Sequence, residues 1–196
     1  MEDSSKFKDY FAHLSEISWK GRLYKNFVSS PVLFLCARKY GRCIVEIGSG
    51  TGSGLLGRFP KHVRGLEINP MSVDFCRSIG LPAELIRENE AFPIVTGSVD
   101  CCVLDNVLEH IIDFKETLDE CHRITQAGGG LIIAVPGIRG FESDHDHKIF
   151  YDAQALKSLD ERWIMQSIFS LPFYFQSKIL SRSVKQYCLV ATYQKA

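Results

Sequence analysis

Two acidic residues and a run of alternating glycines give the first indication of a ligand site. Glu46 lies in the apolar run 43–47, and the loop Gly48-Ser49-Gly50-Thr51-Gly52 follows it directly. Glu67 ends the next apolar run, nineteen residues after Gly48. Glycine permits a positive φ and lets backbone N–H groups approach a ligand without a Cβ in the way. By itself, the loop could therefore cradle either a carboxylate or a pyrophosphate.

The spacing of the glycines and the charge of Glu46 argue against a dinucleotide. A dinucleotide fingerprint needs the pattern GxGxxG from the end of the strand, but the pattern counted from Gly48 has Ser53 in its last position. The match that starts at Gly52 begins four residues too late. A carboxylate repels a phosphate and attracts an ammonium group. We therefore expect a ligand with a cationic amine and a nucleoside, whose ribose hydroxyls Glu67 can bind.

Short apolar runs alternate with helical patterns along the chain. Strands are predicted at 43–47, 62–68, 84–87, 99–104, 131–135, 163–170 and 186–193, and helices at 53–58, 69–79, 113–125 and 153–160. This alternation indicates a Rossmann-like, doubly wound α/β sheet of seven strands that is mostly parallel. The glycines at 128–130 are predicted to stop the helix before strand five. No convincing helix separates the last two strands across 171–185, so the last strand is expected to be antiparallel.

The length of 196 residues fits one domain with a sizeable core. We predict a single domain over 1–196, in which 41–196 form the Rossmann-like core. Residues 1–40 read as helical, with apolar positions that include Tyr10, Phe11 and Trp19, and are predicted to cover the ligand crevice as a lid.

Charge and cysteine usage limit the class of protein. The chain is neutral overall, but residues 43–156 carry nine basic and seventeen acidic side chains, a balance of −8. Such an acidic middle is a poor surface for nucleic acid, so no nucleic-acid partner is expected. Seven cysteines without a CxxC pair indicate a reducing compartment, and no signal peptide or transmembrane run is found. The sequence thus predicts a cytoplasmic location.

Four motifs in order resemble those of the class I S-adenosylmethionine (SAM)-dependent methyltransferases, and the resemblance covers residues 43–135. The first is an acid followed by alternating glycines, EIGSGTG at 46–52. The second is the acid Glu67 at the end of the second strand. In the "type 11" subgroup, the third and fourth resemble Asp-Ala-Glu-x-Leu-Pro-Phe and Ser-Asn-x-Val-Leu-Glu-His. Here they are ENEAFPI at 88–94 and LDNVLEHI at 104–111.

The resemblance implies SAM as the cofactor, with S-adenosylhomocysteine (SAH) as the product. It also implies roles for site residues: the glycine loop and Glu46 would hold the methionine end, Glu67 the ribose, and Ile68 would contribute to the cofactor pocket. Glu88 would bind the adenine amino group, Asn89 would offer its backbone N–H to the ring, and Asp105 and Asn106 would line the pocket. Glu88 and Asn89 stand where the subgroup has Asp and Ala, which is a departure from its pattern.

The candidate general bases follow strand five, in the segment 139–152. His145 and His147 lie there, next to Asp144 and Asp146, which could orient them. A hydroxyl acceptor benefits from a histidine near its usual pKa. The alternative is a polar loop that caps the next helix. The same four residues offer metal ligands, but adjacent residues rarely converge on one ion, and no metal site is predicted.

The sequence therefore predicts methyl transfer from SAM to a small-molecule or saccharide acceptor, at a hydroxyl. The saccharide reading comes from a similarity of the Asp-x-x-His-Lys-x-Phe stretch to methyltransferases of sugar pathways. A SAM- or SAH-binding protein without catalysis is the alternative, and a NAD-dependent oxidoreductase is disfavoured by the glycine spacing. The aromatic segment 171–180 would suit an acceptor wall or a homodimer contact.

Overall fold

Seven strands form one sheet in the computed structural model, which describes residues 7–8 and 19–196. The strands are β1 (Ile44–Ile47), β2 (Val63–Glu67), β3 (Ala83–Leu85), β4 (Val99–Asp105), β5 (Thr125–Pro136), β6 (Trp163–Leu171) and β7 (Cys188–Lys195). The helices are α1 (Trp19–Tyr24), α2 (Ser30–Arg38), α3 (Leu55–Arg58), α4 (Pro70–Ser78), α5 (Lys115–Ile124), α6 (Ile138–Glu142), α7 (Ala153–Lys157) and α8 (Lys178–Ser183), with a π-helical turn at Lys25–Ser29 and a 3-10 turn at Leu108–His110.

The strand order is β3-β2-β1-β4-β5-β7-β6. The pairs from β3 to β5 are parallel, whereas β7 is antiparallel to both β5 and β6. The predicted fold class, a mostly parallel seven-stranded sheet with an antiparallel last strand, is confirmed. The order reverses between β1 and β4, which are neighbours, and ligands of such sheets bind outside the carboxyl ends of the strands at this point.

Both faces of the sheet are covered by apolar side chains, as β4 illustrates. Cys102 and Leu104 belong to one core cluster and Cys101 and Val103 to the other, in keeping with the alternation of side chains along a strand. All four side chains are fully buried. The cysteines within apolar runs thus behave as small hydrophobic residues, as their sequence context predicts.

Strand β5 begins earlier than predicted, at Thr125, where the sequence suggests a helix stop. A Cβ on Gly130 would lie 2.3 Å from Cδ2 of Tyr40, and a Cβ on Gly129 would lie 2.8 Å from the Asp100 carbonyl oxygen. The glycines are therefore required for close packing within the sheet region. The register of β4 against β5 shifts between Val99 and Cys101 at the same place.

Two short helices lie in segments that the sequence suggests are loops. Helix α6 follows β5, and α8 lies between β6 and β7, where Ser177 caps it by accepting a hydrogen bond from the Leu180 N–H. With six residues α8 is too short to return the chain to the other end of the sheet, so β7 still runs antiparallel. Asp152 caps α7 through bonds from the N–H groups of Gln154 and Ala155.

The amino-terminal part is helical where the structure describes it, from Trp19 to Arg38. Positions 1–6 and 9–18, with the predicted lid residues Tyr10 and Phe11, lie outside the described residues. The role of residues 1–40 as a lid stays a prediction. Among the described helices, none is both long and apolar enough to cross a bilayer.

Candidate active site

The candidate site lies at the carboxyl ends of β1 and β4, where the strand order reverses. The glycine loop follows β1, and Asp105 and Asn106 stand at the end of β4. Gly48 has a φ of +68°, and a Cβ there would lie 2.6 Å from Cγ2 of Val107. The loop after β1 and the loop after β4 are therefore in direct contact.

Most of the loop N–H groups have partners within the protein. The N–H groups of Gly48 and Ser49 donate to the Leu66 carbonyl, at 2.8 and 3.2 Å, and the Gly50 N–H donates to Oε2 of Glu67 at 2.7 Å. These donors are the ones that a pyrophosphate would need. The protein instead uses them to fix the loop against the end of β2.

Glu67 is buried, with 3% of its surface exposed. Besides the Gly50 bond, its Oε1 accepts from the Asn69 N–H at 2.9 Å. Burial raises the pKa of Glu67, and the bonds from Asn69 and Gly50 oppose this rise. Since a carboxylate oxygen can accept two bonds, both oxygens keep a lone pair for the hydroxyls of a ligand.

Glu46 is also buried, and its carboxylate holds the start of α3. Oε1 accepts from the Leu55 N–H at 3.1 Å and Oε2 from the Leu56 N–H at 2.7 Å. Gly54 makes this approach feasible, because a Cβ there would lie 2.4 Å from Oε1. Burial raises the pKa of Glu46 to about 7. These helix contacts are partners that the sequence alone does not predict.

Asp105 joins the end of β4 to the π-helical turn. Its Oδ1 accepts from Nδ2 of Asn106 at 2.8 Å, and its Oδ2 lies 3.6 Å from Nζ of Lys25. Asp105 raises the pKa of Lys25, more than burial lowers it. Asn106 has a φ of +56°, a conformation that asparagine tolerates better than most residues. Lys25 has no motif around it, so no sequence signal points to its role.

The other predicted cofactor residues differ in placement. The Ser49 side chain is buried against β2, since a Cβ on Gly65 would lie 2.5 Å from its Oγ. Thr51 is half-buried and Ile68 is 38% exposed. Glu88 and Asn89 lie on an exposed turn after β3, where Asn89 has a φ of +59°. The site thus groups the loop, Glu67 and the end of β4, with the adenine-binding candidates on the adjoining turn.

A second group of polar residues lies beside Asp105, on the 3-10 turn and the loop after α6. Nε2 of His147 lies 3.8 Å from Oε1 of Glu109, and the rings of His110 and His147 are 4.7 Å apart. Nδ1 of His147 is 2.9 Å from the Phe141 carbonyl, to which it donates. The neutral ring therefore carries its lone pair on Nε2, the nitrogen that faces Glu109.

The two candidate bases are not equivalent in this arrangement. His147 has only 8% of its side chain exposed, while His145 is exposed. The backbone carbonyl of Glu109 accepts from the N–H groups of Lys148 and Ile149, which brings this loop against the 3-10 turn. The sequence predicts no role for Glu109, although an acid within the apolar stretch 107–112 is the same signal that marks Glu46.

Known proteins match both the sequence and the fold. Residues 45–133 match the family described as Methyltransferase domain. Over 115 residues the chain is 30% identical to a protein of Mycolicibacterium smegmatis that is named a probable S-adenosylmethionine-dependent methyltransferase. The alignment covers 57% of this chain and 45% of that relative. The chain spans less than half the length of this relative.

Solved structures show the same fold at low identity. A SAM-dependent methyltransferase from Aquifex aeolicus has a TM-score of 0.67 at 16% identity, over 96% of this chain and 98% of that chain. Geranyl diphosphate methyltransferase in complex with SAM has a TM-score of 0.66 at 13% identity, over 86% and 84%. Residues 45–133 therefore resemble a methyltransferase domain, and the solved structures show that the chain has the fold of SAM-dependent methyltransferases.

Proposed function

We propose that this chain transfers the methyl group of SAM to a hydroxyl of a small-molecule acceptor. The observation that carries the proposal is the group of three buried acids, Glu46, Glu67 and Asp105, beside a glycine loop most of whose N–H groups are already bonded. A crevice of this charge favours a cationic ligand over a phosphate. SAM has a sulfonium and an ammonium group, and it supplies the electrophile itself.

The parts of the cofactor are assigned by position along the sheet. Glu67 binds the ribose hydroxyls, because its two oxygens are oriented by Gly50 and Asn69 and keep free lone pairs. The glycine loop and the end of β4, with Asp105 and Asn106, surround the methionine end. Glu88, Asn89 and Ile68 lie on the far side of Glu67 and contact the adenine. Glu46 accepts hydrogen bonds from the first N–H groups of α3, the helix that follows the loop.

The acceptor binds on the side of β4 and β5, next to His147. The Phe141 carbonyl fixes the ring with Nδ1 protonated, so Nε2 can take the proton of an acceptor hydroxyl. Phe141 stacks on the His147 ring at 5.3 Å, and Phe150 meets Phe141 edge-on at 5.4 Å. These rings would border a small acceptor, whether a saccharide or another hydroxyl compound. His145, being exposed, is the weaker candidate for the base.

Binding and turnover are tested separately. We expect calorimetric titration to show saturable binding of SAM and SAH and none of NAD. Turnover is then measured as SAH formed in the presence of sugars and phenols. His147→Gln should lower kcat while leaving SAM affinity unchanged, and His145→Gln should leave kcat nearly unchanged. Binding of SAM without SAH formation across the acceptors would instead favour a SAM-binding protein without catalysis. Binding of NAD and not of SAM would overturn the proposal.

A further inference from the structure

The Glu109 carboxylate is buried without a hydrogen-bond donor. Its exposed fraction is 0%, and neither Oε1 nor Oε2 has a hydrogen-bond partner among the described residues. A buried carboxylate without a partner is strongly unfavourable, because the protein must remove its hydration shell without replacing it. An unpartnered acid in such a place indicates that another group completes its surroundings.

Two imidazole rings, those of His110 and His147, lie beside this carboxylate. His147 donates from Nδ1 to the Phe141 carbonyl, and Nδ1 of His110 lies 3.3 Å from the Asp146 carbonyl. With Nδ1 as the donor in both rings, Nε2 carries the lone pair in both. Metal-binding histidines usually donate their other ring N–H to a backbone carbonyl or a carboxylate, which fixes the tautomer and the orientation. Both rings satisfy that requirement.

One nitrogen of each ring and one carboxylate oxygen of Glu109 lie within 4.8 Å of one another. Bonds of about 2.0–2.2 Å to a common ion would place such atoms roughly 3–4 Å apart. The three side chains therefore need to close by about 1 Å, which small side-chain rotations can supply. Asp144, whose Oδ2 is 3.9 Å from Nε2 of His147, lies near enough to be a fourth ligand.

We propose that Glu109, His110 and His147 form a binding site for a divalent transition-metal ion. Two imidazole nitrogens and one carboxylate oxygen are donors that suit Zn²⁺, Co²⁺ or Mn²⁺, and suit Mg²⁺ less well. The binding of the ion does not depend on the proposed function. Three protein ligands leave a coordination position for water or for another oxygen ligand.

A consequence for the reaction rests on the proposed function. The ion takes the Nε2 lone pair that would otherwise accept a proton from the acceptor. An acceptor hydroxyl bound to the ion would have its own pKa lowered, so that water could take its proton. Methyl transfer by the loaded protein would then depend on the ion rather than on a free imidazole.

The test is equilibrium dialysis of the protein against Zn²⁺, Co²⁺ or Mg²⁺, without SAM, with metal measured by mass spectrometry. Cys43 is an exposed thiol, a type of group that can bind Zn²⁺, so every protein tested carries Cys43→Ser. We expect one Zn²⁺ or Co²⁺ per chain and no retention of Mg²⁺. The bound Co²⁺ should give visible absorption bands of a four- or five-coordinate site with nitrogen and oxygen ligands.

Variants of the ligands separate this site from other binding. Glu109→Gln and His147→Gln should each weaken affinity for Zn²⁺ by more than the ~10–100-fold that outer-shell changes cost. His145→Gln and His62→Gln, which alter histidines outside the cluster, should retain the affinity. The Co²⁺ spectrum of the parent protein tests the site even if one variant fails to fold. Absence of stoichiometric binding, or binding that both ligand variants retain, would overturn the proposal.

The two binding measurements distinguish a failure of the metal-site proposal from a failure of the proposed function. Metal binding is read without SAM or acceptor, and SAM binding is read on the metal-free protein. Loss of metal binding with retained SAM turnover would refute only the metal site. Intact metal binding without SAM binding would refute only the methyltransferase proposal.

Discussion

Oε2 of Glu67 lies 2.7 Å from the backbone nitrogen of Gly50, which ties the end of β2 to the glycine loop after β1. The same carboxylate is expected to bind the cofactor ribose, so Glu67→Ala should abolish measurable SAM and SAH binding in calorimetry. Glu84→Ala, which removes a partly exposed acid from β3, is the matched control and should bind as the parent does. Parental affinity in Glu67→Ala would refute the assignment of the ribose site.

Gly48 should tolerate alanine less well than Gly80, although both have a positive φ. Gly80 has a φ of +80° with open space around it, so Gly80→Ala should cost only the backbone penalty, about 1–2 kcal/mol. Gly48→Ala adds a contact of 2.6 Å with Cγ2 of Val107. We expect a larger loss of unfolding free energy in urea denaturation, and weaker SAM binding.

A double variant isolates the contact between the two loops. Val107→Ala removes both methyl groups that the new Cβ would meet, so Gly48→Ala with Val107→Ala should recover the steric part of the loss. Equal losses of unfolding free energy for Gly48→Ala and Gly80→Ala would show that the contact between the loops does not contribute to stability.

The ion pair between Lys25 and Asp105 should couple the π-helical turn to the end of β4. Lys25→Met keeps the apolar stem but leaves Oδ2 of Asp105 without its cation, which should destabilise the fold by about 1–3 kcal/mol. A double-mutant cycle with Asp105→Asn, measured by urea denaturation, should give a coupling energy of about 0.5–3 kcal/mol. Strict additivity would mean that the pair makes no net contribution.

Stability in the absence of SAM should depend on Glu46 in a defined pH range. Burial raises the pKa of Glu46 to about 7 in the folded protein, above its usual value of 4.5. The folded state then binds the proton more tightly than the unfolded state, so this group favours folding at low pH. Between about 4.5 and 7 its contribution to the unfolding free energy falls by up to about 1.4 kcal/mol per pH unit.

The comparison with Glu46→Gln isolates this contribution. The amide does not titrate, and it loses one of the two helix bonds, so the variant is expected to be less stable than the parent. Its deficit should be largest near pH 5 and should shrink as the pH rises to 7.5. A deficit that is constant over this range, or one that grows, would contradict the elevated pKa of Glu46.

The sequence predicts the sheet well because each strand is a short apolar run buried on both faces. It also predicts that Glu67 and Asp105 lie at the same edge of the sheet, since residues that end parallel strands share one edge. It does not predict the partner of Asp105, because Lys25 lies eighty positions away with no local pattern. The early start of β5 at Thr125 is missed for the same reason, since Tyr40 and Asp100 determine what the glycines must accommodate.

The cluster of Glu109, His110 and His147 shows a further limit. Glu109 and His110 belong to a motif that the sequence reveals, but their closeness to His147 depends on how the loop after α6 folds back. Spacing along the chain suggests ligands from one segment, 144–147, whereas the contacts join two segments. Only the tertiary structure brings a buried acid from one loop to an imidazole from another.

Because β7 lies between β5 and β6 in the sheet, β6 cannot join the sheet before β7 has been synthesised. A ribosome makes β6 before β7, yet the sheet neighbour of β6 is β7. A nascent chain that ends at β6 therefore exposes the open edge of β5, and exposed strand edges promote aggregation. The last two strands can be added to β5 only after the residues of β7 have left the ribosomal exit tunnel.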